Sequence, residues 1–230
     1  MAKQTLQDEG QPFEVTVLTP QRPSHVVLFA VGGGGSPERH APLLSAFAER
    51  GGCVVAPHFD RFMSPFPSRE QLVLRARRLM LALHTVRYVE LPIVGVGHSI
   101  GATMLLALAG ARAWMSASDQ PLPISDRIAF KRLVLLAPAT GFFQAPFALD
   151  DLHVPLLVFA GTHDTVTPVA QAEYLKHTLA GRVPVDLRIC EGAGHFSFMN
   201  LPPPQTVEPL ADREAFLARI RDEACEYLSS

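Results

Sequence analysis

Cysteine is scarce in this chain: Cys53, Cys190 and Cys225 make an odd number with no close pair. That excludes a disulfide framework or a zinc knuckle and reads as free thiols in a reducing compartment. Long apolar runs are missing as well. No stretch approaches the ~20 apolar residues of a membrane helix, so no stable membrane insertion is expected. Met1 to Pro12 is polar, no signal peptide is visible there, and a cytoplasmic protein is the expectation. Charge bias is absent too. The 20 basic and 22 acidic residues leave a formal net charge of −2, which offers neither nucleic acid nor an anionic membrane a bulk attraction. There is no internal repeat, no low-complexity tract, no metal-ligand cluster and no cofactor motif, so neither metal nor cofactor is implied.

What is present points to a packed α/β protein. Of the 230 residues, 48% are hydrophobic and 18% charged, which excludes a disordered chain and suits one domain over residues 1–230. The 20 prolines are spread out, Pro202-Pro203-Pro204 apart, and read as loop punctuation. Short apolar runs mark strands at Phe13–Leu18, His25–Val31, Cys53–Pro57, Pro92–Val96, Arg132–Ala137, Pro155–Ala160 and Val185–Cys190. Phe13–Leu18 alternates, as a half-exposed edge strand does. The continuous runs look buried on both faces, as in a parallel sheet. Helical patterns lie between them, over Pro42–Arg50, Leu72–Leu83, Gly101–Ala113, Val169–Leu179 and Arg213–Leu228. On the second, Arg69, Arg75 and Arg78 read as the solvated face of an amphipathic helix. Strand–helix alternation implies right-handed crossovers and a three-layer α/β/α sandwich around a mostly parallel sheet. Residues 114–129 and 141–151 break the alternation, and neither is long enough for a large cap domain.

Ligands of such sheets bind beyond the carboxyl ends of the strands, so the residues just after each strand are the ones to inspect. Gly97-His98-Ser99-Ile100-Gly101 fits G-x-S-x-G between a strand and a helix, the setting of a sharp turn that lifts a serine out of the backbone. A serine hydroxyl needs a base beside it. His195, in Glu191-Gly192-Ala193-Gly194-His195, follows a strand and is the best base, whereas the elbow turns the neighbouring His98 elsewhere. The base needs an acid to fix its tautomer. Asp164, in Gly161-Thr162-His163-Asp164, also follows a strand, while the competing Asp150 and Asp151 sit well past theirs. An oxyanion would be held by backbone N–H groups. Ile100 gives one, and the run Gly32-Gly33-Gly34-Gly35 gives the second, with Gly33 expected and Gly34 the alternative. A phosphate loop is disfavoured, because that run lacks a Gly-Lys-Ser/Thr ending and Pro37 stands where G-x-G-x-x-G requires glycine.

On these motifs the chain resembles the α/β-hydrolase fold superfamily over roughly residues 13–228, as a serine esterase. The elbow with Ala102, together with Leu108-Ala109-Gly110-Ala111 and the cap-free layout, is similar to the dienelactone-hydrolase-like esterases. Typical members of that branch carry a cysteine nucleophile where this chain has Ser99, and Val31-Gly32 stands where the superfamily often has His-Gly. The resemblance implies hydrolysis of a small-molecule ester or thioester through an acyl-enzyme on Ser99, with His195 as base and Asp164 as orienting acid. A non-catalytic ligand-binding module and an acyltransferase are the alternatives. Phe142, Phe143, Phe147 and Phe196-Ser197-Phe198-Met199 read as core or loop-anchoring side chains rather than an acyl pocket.

Overall fold

The structure is a computed structural model and describes residues 2–64, 66–86, 90–116 and 118–229. Eight strands form one sheet: β1 (Ala2–Asp8), β2 (Gln11–Leu18), β3 (His25–Ala30), β4 (Gly52–Pro57), β5 (Ile93–His98), β6 (Phe130–Leu136), β7 (Leu156–Gly161) and β8 (Val185–Cys190). Their spatial order is β1-β2-β4-β3-β5-β6-β7-β8. Strand β2 runs antiparallel to both its neighbours, and the pairs from β4 through β8 are parallel. Helices α1 (Ala41–Glu49) and α5 (Arg213–Ser229) cover one face of the sheet. Helices α2 (Arg69–His84), α3 (Ile100–Leu108) and α4 (Val169–Thr178) cover the other. This is the expected three-layer sandwich. Strands β3, β4 and β7 are buried along their whole length, which is why they read as unbroken apolar runs.

Four expectations need correction. Met1 to Pro12 reads as merely polar, yet Ala2–Asp8 is a strand that pairs with β2. A two-residue turn makes the hairpin: Glu9 and Gly10 both have positive φ, 50° and 80°, as the tightest hairpin turns require. Strand β2 is therefore not an edge strand. Its alternation reflects one face packed on the core, with Phe13 and Val15 buried, beneath a polar outer strand. At the far side, β8 is not buried on both faces. It is the sheet's other edge, and Arg188 and Ile189 are exposed. Helix α3 is also shorter than its apolar pattern. It ends at Leu108, and Gly110, at φ 125°, turns the chain where a Cβ would lie 2.3 Å from the Asp151 carbonyl oxygen.

The fourth correction concerns the arginines of α2. The helix starts on a reciprocal cap between Ser68 and Gln71, and its apolar stripe, Leu72, Ala76, Leu79 and Leu83, is buried. Arg75 and Arg78 do not face solvent, being only 2% and 8% exposed. Arg78 reaches the buried Asp8 carboxylate at 3.1 Å, and Arg77 reaches it at 2.6 Å. Arg78 also lies over the Phe13 ring. The polar N-terminal strand thus docks on α2 through a buried ion pair that periodicity does not reveal. Arg69 donates to the Gln120 and Pro121 carbonyls and ties down the irregular stretch before β6.

Between β6 and β7 the described chain forms a three-residue turn, Gly141–Phe143, and no cap. Phe143 is fully buried, while Phe147 is 71% exposed. Tyr174 on α4 donates to the Phe143 carbonyl at 2.6 Å, so Phe143 closes the core as the anchoring reading has it, whereas the exposed Phe147 does not fit that reading.

Removing the Asp8 carboxylate leaves the buried Arg78 without its partner. Asp8→Ala is expected to cost about 3 kcal/mol, measured by urea denaturation, while Glu9→Ala on the exposed turn next to it changes stability by less than about 0.5 kcal/mol.

Candidate active site

The site begins with a backbone turn. Ser99 has φ 54° and ψ −123°, a left-handed conformation that costs a non-glycine residue about 1–3 kcal/mol. Its N–H is held by the Leu136 carbonyl on β6 at 2.9 Å, and its own carbonyl accepts from Ala102 at 3.0 Å. Both flanking glycines are required by space. A Cβ on Gly97 would come within 2.7 Å of the Ala102 backbone, and one on Gly101 within 2.0 Å of the Ala30 carbonyl oxygen. The Ser99 side chain is left half-buried and reachable from solvent.

The structure brings three of the sequence-derived residues into one row. The Ser99 hydroxyl lies 3.0 Å from His195 Nε2, and His195 Nδ1 lies 2.8 Å from Asp164 Oδ2. With Nδ1–H donated to the carboxylate, Nε2 is left as the acceptor facing Ser99. Asp164 is well satisfied: its Oδ1 accepts the N–H groups of Val166 and Thr167 at 2.8 and 2.7 Å. Burial pushes the Asp164 carboxyl up, but the hydrogen bonds from His195 and Thr167 outweigh it and hold the group below the usual carboxylate range. Asp150 and Asp151 lie elsewhere, paired with Arg182 and Arg112.

Thr167 goes unnoticed in the sequence, and His98 reads only as turned away from the serine. The buried Thr167 hydroxyl lies 2.8 Å from Asp164 Oδ2, 3.1 Å from His195 Nδ1 and 3.1 Å from the Ala137 carbonyl. Its only sequence signal is a hydroxyl three residues after an aspartate, a common local turn pattern. His98, pointed away from the serine as expected, stacks 5.0 Å from the His195 ring and donates Nε2–H to the His195 carbonyl at 3.1 Å. Behind it the buried His40 stacks at 5.4 Å. Burial, then the neighbouring His195 and His40, pushes the His98 pKa well below its ordinary value. Burial, then Arg39, takes His40 down to about 3. Both rings are neutral at physiological pH.

The glycine run lies against the elbow. A Cβ on Gly32 would sit 3.4 Å from the Ser99 Cβ. The Gly32 carbonyl accepts from Gly35 N–H at 3.1 Å and Arg75 Nη1 at 3.0 Å, and the Gly33 carbonyl accepts from Phe62 N–H at 2.9 Å. Because a trans peptide points its C=O and N–H in opposite directions, the Gly33 N–H is turned away from Arg75. Ile100 opens α3, so its N–H has no acceptor within the helix. Two cavities, of about 170 Å³ at the strand starts near His25 and Lys131 and about 510 Å³ between α1 and α5, do not include Ser99. Among the described residues no three His, Cys, Asp or Glu side chains gather as metal ligands would, and no helix is long and apolar enough to cross a membrane.

Comparison with solved structures decides the architecture. Esterase 2 of Thermogutta terrifontis with bound propionate superposes with a TM-score of 0.66 at 18% identity, over 99% of this chain and 93% of that one. The chain has the α/β-hydrolase fold. The same esterase phosphorylated by paraoxon is similar at TM-score 0.65 and 18% identity, over 98% and 93% of the two chains. A protein of unknown function from Agrobacterium tumefaciens, provisionally an alpha/beta hydrolase, is similar at TM-score 0.67 and 14% identity, over 99% and 95%. No protein-family model and no curated protein sequence matches the chain. Within this hydrolase fold, the row of Ser99, His195 and Asp164 stands beyond the carboxyl ends of β5, β8 and β7, where ligands of open α/β sheets bind.

The neutral histidines make stability fall in acid. An unfolded histidine protonates near ~6.5, whereas His40 and His98 stay neutral when folded. The unfolded chain binds more protons below that pH, so stability is full above it and drops as pH falls. Together the two rings give up to about 2.7 kcal/mol per pH unit. Urea denaturation between pH 7 and pH 5 measures this slope, and His40→Leu is expected to reduce it by roughly half.

Proposed function

We propose that this protein is a serine hydrolase that cleaves carboxylic esters or thioesters through an acyl-enzyme on Ser99. The observation that carries the reading is the aligned row of Asp164, His195 and Ser99 at 2.8 and 3.0 Å, with the serine raised on a strained elbow. Ser99 Oγ attacks the acyl carbon as His195 Nε2 takes its proton. Asp164 keeps the proton on Nδ1 and balances the imidazolium that forms. The N–H groups of Ile100 and Gly33 hold the negative oxygen of the tetrahedral intermediate, and such donors contribute about 3–4 kcal/mol each. His195 then gives its proton to the leaving alcohol or thiol. It next draws one from water, which releases the acid and restores the serine. Gly33 is favoured over Gly34 because a Cβ on Gly32 would meet the Ser99 side chain, which places the Gly32–Gly33 peptide beside the elbow, and the Gly33 N–H points away from α2.

The similar esterase from T. terrifontis supports this reading. It has been captured with propionate and butyrate and as a product of paraoxon phosphorylation. Short acyl esters are therefore the substrates to try first, and a soluble small-molecule ester meets an elbow that no cap covers among the described residues.

Fluorophosphonate labelling of the purified protein followed by peptide mass spectrometry tests the proposal. A covalent adduct on Ser99, lost in His195→Ala, is expected. Ser99→Ala is expected to lower kcat on p-nitrophenyl propionate at least about 10⁴-fold, and Asp164→Asn about 10⁴-fold. Well-folded wild-type protein that takes no label and turns over no activated ester removes the reading.

A further inference from the structure

The amphipathic pattern of α2 assigns Arg75 to solvent, and the structure puts it in the core behind the glycine loop. Its guanidinium lies between the rings of Phe59 and Phe62, 4.6 and 4.1 Å from their centroids. Burial pulls its pKa down to about 10, so it is charged at neutral pH. Among the described residues no carboxylate forms a direct ion pair with it, although the charge of nearby Asp60 partly offsets the effect of burial. Its partners are backbone carbonyls, those of Val31 at 3.2 Å, Gly32 at 3.0 Å and Asp60 at 3.3 Å. A buried cation without a direct ion pair is costly, and an apolar side chain of similar volume would hold α2 against the sheet at less expense. Packing therefore does not account for the residue.

Its contacts do. They all fall on the loops that shape the ground beside Ser99. The carbonyls of Val31 and Gly32 belong to successive peptides leading into Gly33. The Phe62 ring, stacked on Arg75, lies under Gly33, where a Cβ would be 3.2 Å from it, and the Phe62 N–H holds the Gly33 carbonyl. Arg75 thus grips the rear of the loop whose front meets the elbow.

We propose that Arg75 is a positioning residue for the oxyanion site. It rotates the Gly32–Gly33 peptide so that the Gly33 N–H faces the Ser99 acyl adduct. Its charge on the carbonyl also polarises the same amide and strengthens that N–H as a donor, since hydrogen bonds in a chain reinforce one another. Arg75 touches no reacting atom and acts through the peptide it holds. Because the negative oxygen exists only in the transition state and intermediate, the effect belongs to kcat rather than to substrate binding.

This inference rests on the hydrolase reading, and steady-state kinetics on p-nitrophenyl propionate separates the two. Arg75→Met keeps the length of the side chain and removes the charge and the donors. It is expected to lower kcat about 30-fold with KM within about twofold, a part of what losing a whole oxyanion donor costs. Arg75→Lys restores the charge with a single donor head and is expected to recover about fivefold of that loss. Circular dichroism and thermal melting establish that each variant is folded. Should Arg75→Met not fold, Arg75→Lys carries the test against wild type, with an expected loss in kcat of about sixfold at unchanged KM. A folded variant with wild-type kcat, or a loss carried by KM alone, overturns the role of Arg75 while active wild type leaves the hydrolase reading standing. Wild-type protein inactive on every activated ester overturns both.

Discussion

The close approach of α3 to the central strands is the constraint on which the site depends. At Gly101 the helix backbone presses against the Ala30 carbonyl with no room for a Cβ, and at Gly97 the strand presses against Ala102 in the same way. Between these two contacts Ser99 has no relaxed conformation open to it, so its backbone stays left-handed. The cost of that strain is met by the surrounding packing, because α3 is buried at every position. A side chain at Gly101 would lift the helix from β3. The Ile100 N–H and the Ser99 hydroxyl would move with it, and distances near 3 Å tolerate little such movement.

The electrostatics around the elbow divide into two parts. On one side a fully hydrogen-bonded carboxylate, Asp164, and the Thr167 hydroxyl hold the orientation of the His195 ring. Beneath that ring lie two further imidazoles, His98 and His40, which burial keeps uncharged. This matters because a positive charge on His98, 5.0 Å from His195, would oppose protonation of the ring that accepts the serine proton in the proposed chemistry. Cationic charge enters instead through Arg75 and the carbonyls it grips, behind the glycine loop. In the proposed chemistry, positive potential faces the oxygen that becomes negative and is kept away from the base.

How much of this was legible in the sequence follows from what periodicity measures. The buried parallel strands, the glycine-bracketed serine, and the aspartate and histidine after later strands were all readable, because each leaves a local mark in residue type and spacing. Strand β1 was not. Its residues, Ala-Lys-Gln-Thr-Leu-Gln-Asp, face solvent almost throughout, and it exists because β2 offers it a partner and Asp8 finds Arg78. The burial of Arg75 and Arg78 was hidden for the same reason. A charged residue on an amphipathic helix reads as exposed unless its distant partners, here carbonyls after β3 and a carboxylate on β1, are known. The exposure of β8 was equally nonlocal, for a strand is an edge only when nothing pairs beyond it.

Both outer margins of the sheet are strands whose unpaired backbone groups could recruit another chain. Each is fenced by charge. On β1, Lys3 sits between Glu14 and Glu38, at 3.0 and 2.9 Å. On β8, Arg188 pairs with Asp186 and with Glu223 of α5. A strand docking edge-on would have to displace these pairs and bury charge in place of solvent, a penalty that edge strands use against aggregation. A few ion pairs at the rims thus set a charge barrier against edge-on docking on an eight-stranded sheet rich in apolar segments. Neutralising them would lower that barrier while leaving the buried core untouched.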